Sequence, residues 1–183
     1  MEVTLNEDLS YIDGYNADNI FKIKKLLGIL AESVPFTANI SSIADKLALG
    51  RNTIKEYLHA LKKAGLLNFL NREGKGISLL QKPDKIYLEN TNLSYALKSL
   101  PDIGTLRETF VLNQLKNTGK AIYLPDEGDI IVREQKQNYL FEIGGKSKGD
   151  KQLKNIANSF ILTDEIETGF MNKIPLYLFG FLY

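Results

Sequence analysis

Apolar positions in the first third of the chain recur with the period of an α-helix. In "DNIFKIKKLLGILAES" (18–33) they fall mostly on one face, behind a candidate N-cap at Asp18. The same spacing returns in "SSIADKLALG", with Ser41 or Ser42 as the cap, and in "RNTIKEYLHALKKAGLL", which Gly65 is expected to end. The pattern therefore predicts three successive helices.

A hairpin is expected after the third helix. The segment "LLNFLNREGKGISLLQK" indicates two short strands around a glycine-rich turn at Arg72–Gly76. Helix, short turn, helix and hairpin together make a helix-turn-helix with a wing. Residues 18–82 are thus predicted to form a winged helix-turn-helix domain, preceded by an N-terminal extension over residues 1–17.

This predicted domain has the charge of a nucleic-acid-binding module. Residues 18–81 carry ten basic side chains against five acidic ones, a net charge of +5 in a chain of net charge +1. In DNA-binding examples the second helix of the pair enters the major groove, where Arg and Asn read bases and Lys holds phosphates. The predicted contacts are Arg51, Asn52, Lys55, His59 and Lys62 on this helix, and Arg72 and Lys75 in the wing. Winged helices also serve as protein–protein modules, so that role is left open.

The second half of the chain alternates helices with strands. Its pattern predicts a helix over 103–120, strands over 121–124, 128–134 and 138–144, a helix over 149–158, a strand over 159–164, and a buried strand within 173–183. The chain is therefore expected to be of the α/β (α+β) class, with residues 83–183 as its second domain.

The order αβββαβ resembles the core of the PD-(D/E)xK, or restriction-endonuclease-like, superfamily. Its members carry an acid in the first helix, an Asp at the second strand and an acid on the third strand, and Glu108, Asp129 and Glu142 match these positions. The resemblance implies a Mg²⁺ or Mn²⁺ site built from the three carboxylates. The chain contains no Cys and a single His, which excludes thiolate and multi-histidine metal sites.

Each of these acids also has a simpler explanation. Glu108 would form an exposed ion pair with Arg107, and Asp129 would serve a turn. Glu142 is different because it interrupts an apolar strand, where a buried carboxylate must be paired or bound.

The lysine of the superfamily motif departs from the usual spacing. It is expected two residues after the strand acid, where this chain has Gly144. Lys146 shares the strand face but lies ~7 Å further along, at ~3.3 Å per residue. If a bulge at Gly144 and Gly145 returns Lys146 to the carboxylates, the catalytic set is Asp129, Glu142 and Lys146. Without that bulge, the centre would be a degenerate nuclease.

The sequence argues against two further properties, ATP binding and a membrane span. The segment "GGKS" (144–147) lacks the first glycine of a phosphate-binding loop, whose place is taken by Leu140, so we expect no ATP binding by this chain. The apolar ending "IPLYLFGFLY" is shorter than the ~20 residues of a membrane helix, and no signal peptide opens the chain. We expect a cytoplasmic protein without a membrane span.

Two segments resemble a more specific family. Both "LFEIGGKSKGDKQLKNI" and "NSFILTDEIETGFMNKIPLYLFGFLY" are similar to the C-terminal region of a prokaryotic AAA-type P-loop ATPase family. In that family an ATPase module precedes a winged helix and a domain with an endonuclease-like core. The resemblance implies the ATPase module, which is absent from this chain, as a partner, and DNA or RNA as a ligand.

Three functions remain open on the sequence alone. The first is a nucleic-acid-binding accessory region of the ATPase with a degenerate Mg²⁺-dependent nuclease core. The second is an active metal-dependent DNA nuclease. The third is a protein-interaction module that regulates or oligomerises the ATPase.

Overall fold

Helices fill the first part of the chain, and a mixed sheet dominates the second. The computed structural model describes residues 1, 4–8, 15–33, 35, 37, 39–74, 82–98, 100–149, 153 and 156–183. One unit comprises Met1–Phe69 and Gly74–Leu100, and the other comprises Leu70–Glu73 and Pro101–Tyr183. The combination of helices with a mixed sheet confirms the predicted α/β class.

The first unit begins with the three helices that the periodicity predicts. Its elements are α1 (Ala17–Ser33), α2 (Ile40–Leu47), α3 (Arg51–Lys63), β1 (Leu67–Leu70), β2 (Lys85–Leu88) and α4 (Thr91–Leu97). The apolar faces of α1, α2 and α3 pack into one core with β1 and β2. Leu5, from a π-helical turn at Thr4–Asp8, is also buried in this core.

The helix caps differ from the predicted ones. The side chain of Asn16 accepts a hydrogen bond from the backbone N–H of Asn19 at 2.9 Å, before α1. Asn39 accepts from the N–H of Ser42 at 3.2 Å and caps α2. Asp18 lies inside the first turn and pairs with Lys22 instead. Asn side chains supply the same acceptor as Asp or Ser, so residue type alone did not distinguish Asn16 and Asn39 from the predicted caps.

The sheet of the first unit differs from the expected wing. β1 pairs with β2, whose Ile86, Tyr87 and Leu88 are buried. The predicted second strand of the wing lies outside the described residues, together with Lys75. Because β2 and α4 belong to the first unit, the division falls between Leu100 and Pro101, whereas the sequence pattern placed it between 82 and 83.

The second unit is a five-stranded sheet against one long helix. Its elements are α5 (Ile103–Asn117), β3 (Ala121–Tyr123), β4 (Ile130–Glu134), β5 (Gln137–Gly144), β6 (Ser159–Thr163), β7 (Lys173–Pro175) and a 3₁₀-helix (Leu176–Phe181). The strands follow chain order across the sheet, with β3, β4 and β5 antiparallel and β5, β6 and β7 parallel. The central strand β5 pairs with β4 and β6, so residues near its end are flanked on both sides.

The segment between β5 and β6 returns the chain to the same end of the sheet, as a parallel pair requires. The helix predicted over 149–158 falls largely outside the described residues. Of that range, Leu153 is buried against Leu140 and Ile161. The described positions among 156–158 form a turn or loop.

The apolar ending of the chain is not one strand, contrary to expectation. Only Lys173–Pro175 pairs with β6, and a 3₁₀-helix follows. Pro175 has no N–H to continue a ladder, and Leu176 and Phe179, three residues apart, are buried at the period of a 3₁₀-helix.

Candidate functional site

The second unit buries one carboxylate in the middle of its sheet. Glu142 lies near the end of β5, opposite Ile161 of β6, and its side chain is 2% exposed. The strand residues from Leu140 to Ile143 are all buried. An ionised carboxylate at such a position needs a positive partner, because isolated burial of its charge is very costly.

The positive partner is Lys148. Its Nζ lies 2.5 Å from Oε1 of Glu142. Lys146, which the motif spacing favoured, is exposed in a turn and makes no ion pair with either Asp129 or Glu142 among the described residues. Sequence reasoning therefore missed Lys148, although the segment "GGKSKG" contained the signal in its second lysine.

Gly144 explains how Lys148 reaches the carboxylate. A Cβ atom at position 144 would stand 2.7–2.8 Å from Cβ, Cγ and Cδ of Lys148, so the lysine stem crosses directly over the glycine. The loop is held in this path by hydrogen bonds to its backbone atoms. Lys148 N–H donates to Gly145 O at 2.9 Å, Asp164 N–H donates to Gly144 O at 2.9 Å, and Lys173 Nζ donates to Lys148 O at 3.1 Å.

Asp129 lies beside this pair at the entrance to β4. Its Oδ2 accepts a hydrogen bond from Ile143 N–H at 2.8 Å, and its own N–H donates to Phe141 O at 3.0 Å. Gly128 precedes it with φ +83°, a conformation that favours glycine. The neighbouring strand thus fixes the carboxylate of Asp129 next to the residue that follows Glu142.

The electrostatics of the site keep Lys148 protonated. Burial lowers the pKa of Lys148 and is the largest single influence. The hydrogen bond that Lys148 donates to Glu142, with the charges of Glu142, Asp129 and Glu108, outweighs burial, so the pKa of Lys148 lies above the ordinary value of 10.5. Lys148 therefore carries a positive charge at neutral pH, which disfavours a proton-accepting role.

Glu108 contributes charge to the site from α5, but it does not pair with Arg107 as the simpler explanation supposed. The Arg107 side chain is 13% exposed, and its Nε and Nη2 donate to Asp164 at 2.9 Å and Glu165 at 3.2 Å. A Cβ at Gly145 would meet the Arg107 guanidinium at 3.0 Å. Arg107 thus fastens α5 to the loops that follow β5 and β6.

The carboxylates suit a hard divalent cation, but fewer than three of them converge among the described residues. Within the described part of the chain, no group of three or more His, Asp or Glu side chains converges as a metal site. Mg²⁺ is commonly held by one or two carboxylates with waters and substrate phosphates. Asp129 and Glu142 fit that smaller set, whereas Glu108 is placed as a neighbouring charge.

The third helix of the first unit exposes part of its predicted nucleic-acid face. Arg51 and Asn52 are exposed at the start of α3, and Lys55 is half-buried. No side-chain cap covers the helix start, because Gly50 stands at the N-cap. These positions can meet a polyanion directly.

His59 is placed differently from the surface position expected of it. Its ring lies edge-on to Phe69 at 5.4 Å, and its buried Nε2 has no described hydrogen-bond partner. Burial, followed by the charge of Lys62, lowers its pKa below the ordinary 6.5. The Nζ of Lys62 lies 5.0 Å from the Phe69 ring. His59 is thus a packing residue of the first unit.

The arginine predicted for the wing lies in the second unit. Arg72 forms an ion pair with Asp126, and the adjacent Glu73 pairs with Arg133. Arg72 and Glu73 belong to the short segment that packs with the sheet. Arg72 and the residues of α3 therefore belong to different units.

The fold and this centre define an α/β protein with a helical unit and a sheet unit that buries a carboxylate–ammonium pair. Residues 2–104 match the family described as "Domain of unknown function (DUF8612)", and the chain belongs to that family. The match covers α1 to α4 and ends before the candidate centre. Neither the curated proteins nor the solved structures yield a match. None of the helices in the described ranges is long and apolar enough to cross a bilayer.

Proposed function

We propose that the second unit cleaves phosphodiester bonds with Mg²⁺ or Mn²⁺, and that Asp129, Glu142 and Lys148 form its catalytic centre. The observation that carries this proposal is the buried Glu142 carboxylate with the Lys148 ammonium at 2.5 Å. Asp129, which directly precedes the adjoining strand β4 and is held by Ile143 N–H, would supply a second oxygen ligand. The order of α5, β3, β4, β5 and β6 agrees with the resemblance to the restriction-endonuclease-like core, whose second helix falls in a segment largely outside the described residues.

Each residue has a defined task in this proposal. Asp129 and Glu142 would hold the ion, which when bound polarises the phosphate and lowers the pKa of a water. Lys148 stabilises the negative charge that grows on the phosphate, since its protonated state suits a charge-stabilising role. The fixed loop at Gly144 and Gly145 keeps that ammonium within reach of the carboxylates.

The first unit would hold the nucleic acid, through Arg51 and Asn52 on α3. The exposure of these residues supports this role. The wider assignment is an accessory region of an AAA-type ATPase, acting on DNA or RNA in the cytoplasm. It rests on the sequence resemblance and stays part of the proposal.

The test is a cleavage assay with matched lysine variants. Plasmid DNA, short duplexes and single-stranded RNA are incubated with the full chain and Mg²⁺ or Mn²⁺. We expect Lys148→Met and Glu142→Gln to lower the rate by at least ~100-fold, the scale for losing one transition-state donor. Lys146→Met, the same change two residues earlier, is expected to retain the wild-type rate.

Two outcomes would contradict the assignment. Equal cleavage by wild type and both site variants would indicate a contaminating nuclease. A loss in Lys146→Met with none in Lys148→Met would return the ammonium to the position favoured by motif spacing.

A second candidate function is protein interaction, favoured by the apolar end of the second unit. Large apolar side chains are exposed there, at Phe170, Met171, Tyr177, Phe181 and Tyr183. Where such residues form a contiguous patch, they commonly mark interfaces. Co-purification with the ATPase module, compared between wild type and Phe181→Ser, tests this role. Undiminished capture by Phe181→Ser would count against this surface.

A further inference from the structure

We infer that Lys148 competes with the metal ion for Glu142, so that the centre binds Mg²⁺ or Mn²⁺ weakly until a nucleic-acid phosphate draws the ammonium away. The inference rests on the proposed function, because it takes Glu142 as a metal ligand. It adds a regulation of that site, in which metal and nucleic acid strengthen each other's binding.

The Lys148 ammonium and a metal ion bound to Glu142 would need the same position. Lys148 Nζ is 2.5 Å from Oε1 of Glu142. A Mg²⁺ ion bound to the same oxygen would sit at about 2.0–2.1 Å. With the carboxylate 2% exposed, the approaches to it are few, and the ammonium occupies one of them. A metal ion therefore has to displace Lys148 or accept a poorer set of oxygens.

The neighbouring groups show why displacement is both costly and reversible. Asp129 cannot turn freely towards the ammonium, because its Oδ2 already accepts from Ile143 N–H. Lys148 is anchored through its backbone N–H and carbonyl, but its side chain is 36% exposed. A flexible four-carbon stem lets the ammonium reach outward while its base stays in place. A phosphate at the rim is the partner that such a displaced ammonium prefers.

Charge explains the expected direction of coupling. With Lys148 in place, the charge of Glu142 is neutralised by the protein itself. When a substrate phosphate takes the ammonium, the carboxylate becomes available to the ion at full charge. By thermodynamic linkage, nucleic acid must then raise the metal affinity by the same factor by which the metal raises the nucleic-acid affinity.

The test measures metal binding without relying on activity. Mn²⁺ is titrated calorimetrically into the full chain as wild type, Lys148→Gln and Lys146→Gln. Gln keeps an N–H donor for Glu142 but removes the charge. We expect the Mn²⁺ Kd to fall at least ~10-fold in Lys148→Gln and to change by less than ~2-fold in Lys146→Gln, since an exposed charge is screened. Glu142→Gln, which removes the charge of the proposed metal ligand, is expected to abolish Mn²⁺ binding at this centre.

A Mn²⁺ Kd for Lys148→Gln that is equal to or higher than the wild-type value would overturn the inference, provided that circular dichroism shows a folded variant. The absence of Mn²⁺ binding in both proteins would overturn it as well. If Lys148→Gln does not fold, the inference is tested by Mn²⁺ titration of the wild type with and without nucleic acid. A cleavage-resistant phosphorothioate duplex should then lower its Glu142-dependent Kd for Mn²⁺ by at least ~10-fold, and an unchanged Kd refutes the coupling.

Failure of the inference and failure of the proposed function give different results. Tighter Mn²⁺ binding in Lys148→Gln, with no cleavage by wild type on any substrate, would remove the proposed activity and support the competition. Cleavage by wild type, with equal Mn²⁺ affinity in both proteins, would support the activity and remove the competition.

Discussion

The packing of Lys148 over Gly144 makes Gly144→Ala a sensitive test of the site. The added methyl group would stand 2.7–2.8 Å from three carbons of the lysine stem. Carbon atoms pack best at about 3.5–4.0 Å, so the stem has to move by roughly 0.7–1.3 Å. These carbons are close to the backbone, and the backbone of Lys148 is itself hydrogen-bonded at both ends. The displacement is therefore expected to reach the ammonium and weaken its contact with Glu142.

The cost follows from the burial of the two partners. Breaking a fully buried ion pair costs about 3–5 kcal/mol, because the remaining charge is left without a partner. Glu142 is buried, but the Lys148 side chain is 36% exposed, so water compensates part of the loss. We expect the free energy of unfolding of the second unit to fall by about 1–3 kcal/mol.

Gly149→Ala is the matched control, because an added Cβ there meets no atom of the described residues within 4 Å. Both variants stiffen the unfolded chain by a similar roughly 0.4–1 kcal/mol, so this effect cancels in their comparison. Hydrogen exchange of a peptide covering β5 isolates the second unit from the first. We expect exchange in Gly144→Ala to be about 5- to 150-fold faster than in Gly149→Ala.

Equal exchange in the two glycine variants would refute the proposed path of the lysine stem. A double variant sharpens the test. In a Lys148→Met background the ion pair no longer exists, so Gly144→Ala should lose most of the cost that it has in the wild type. Purely additive costs would show that the glycine serves the loop and not the ion pair.

Three further predictions concern other parts of the chain. His59 has a pKa below its ordinary 6.5, so its contribution to stability is present above pH 6.5 and is lost as the pH falls through the folded-state pKa; His59→Gln should flatten this acid dependence in circular dichroism, and an unchanged dependence would contradict it. Arg51→Ala should weaken duplex binding and reduce the slope of log K against log salt by about one, whereas Lys25→Ala on α1 should leave both unchanged in fluorescence anisotropy. Arg107→Ala should destabilise the second unit by roughly 0.5–2 kcal/mol, because it removes the packing of a side chain that is 13% exposed and its ion pairs with two more exposed acids; exchange of the β5 peptide measures this loss.

The helices of the first unit could be predicted from the sequence because each buries one face. The spacing of Leu26, Leu30, Leu58 and Leu61 is enough to place those faces in a common core. The end of α3 was also predictable, since Gly65 adopts φ +69° directly after it. The pairing partner of β1 could not be predicted. Several short apolar segments follow β1, and the residue pattern of a strand does not determine which strand it pairs with.

The end of the chain shows a different limit of sequence patterns. An apolar run such as 173–183 suits a buried strand or a buried helix equally well. Only the pairing with β6, which stops at Thr163 and Pro175, decides where the strand ends. The side chains beyond it alternate between buried and exposed at a helical spacing that a run of apolar residues does not reveal.

The acidic half of the site could be predicted from sequence, whereas its lysine could not. The apolar residues on both sides of Glu142 correctly indicate that it would be buried, because a strand covered on both faces buries consecutive residues, as Leu140 to Ile143 are here. The alternation of faces along a strand was extended to Lys146 on the assumption that the strand continues. β5 ends at Gly144, and beyond it the alternation of faces no longer applies. A turn closed by Lys148 N–H and Gly145 O then redirects the chain.

The two departures from the motif are therefore connected. A glycine at 144 removes the side chain that would ordinarily supply the ammonium, and the same missing side chain opens the space through which the stem of Lys148 passes. A lysine at 144 and a folded-back Lys148 exclude each other, because their first carbons would overlap. A buried Glu142 nevertheless needs one positive partner. Gly144 alone would indicate a degenerate centre, but Gly144 with Lys148 keeps one carboxylate and one ammonium in contact, which is the arrangement that the cleavage and metal-binding experiments test.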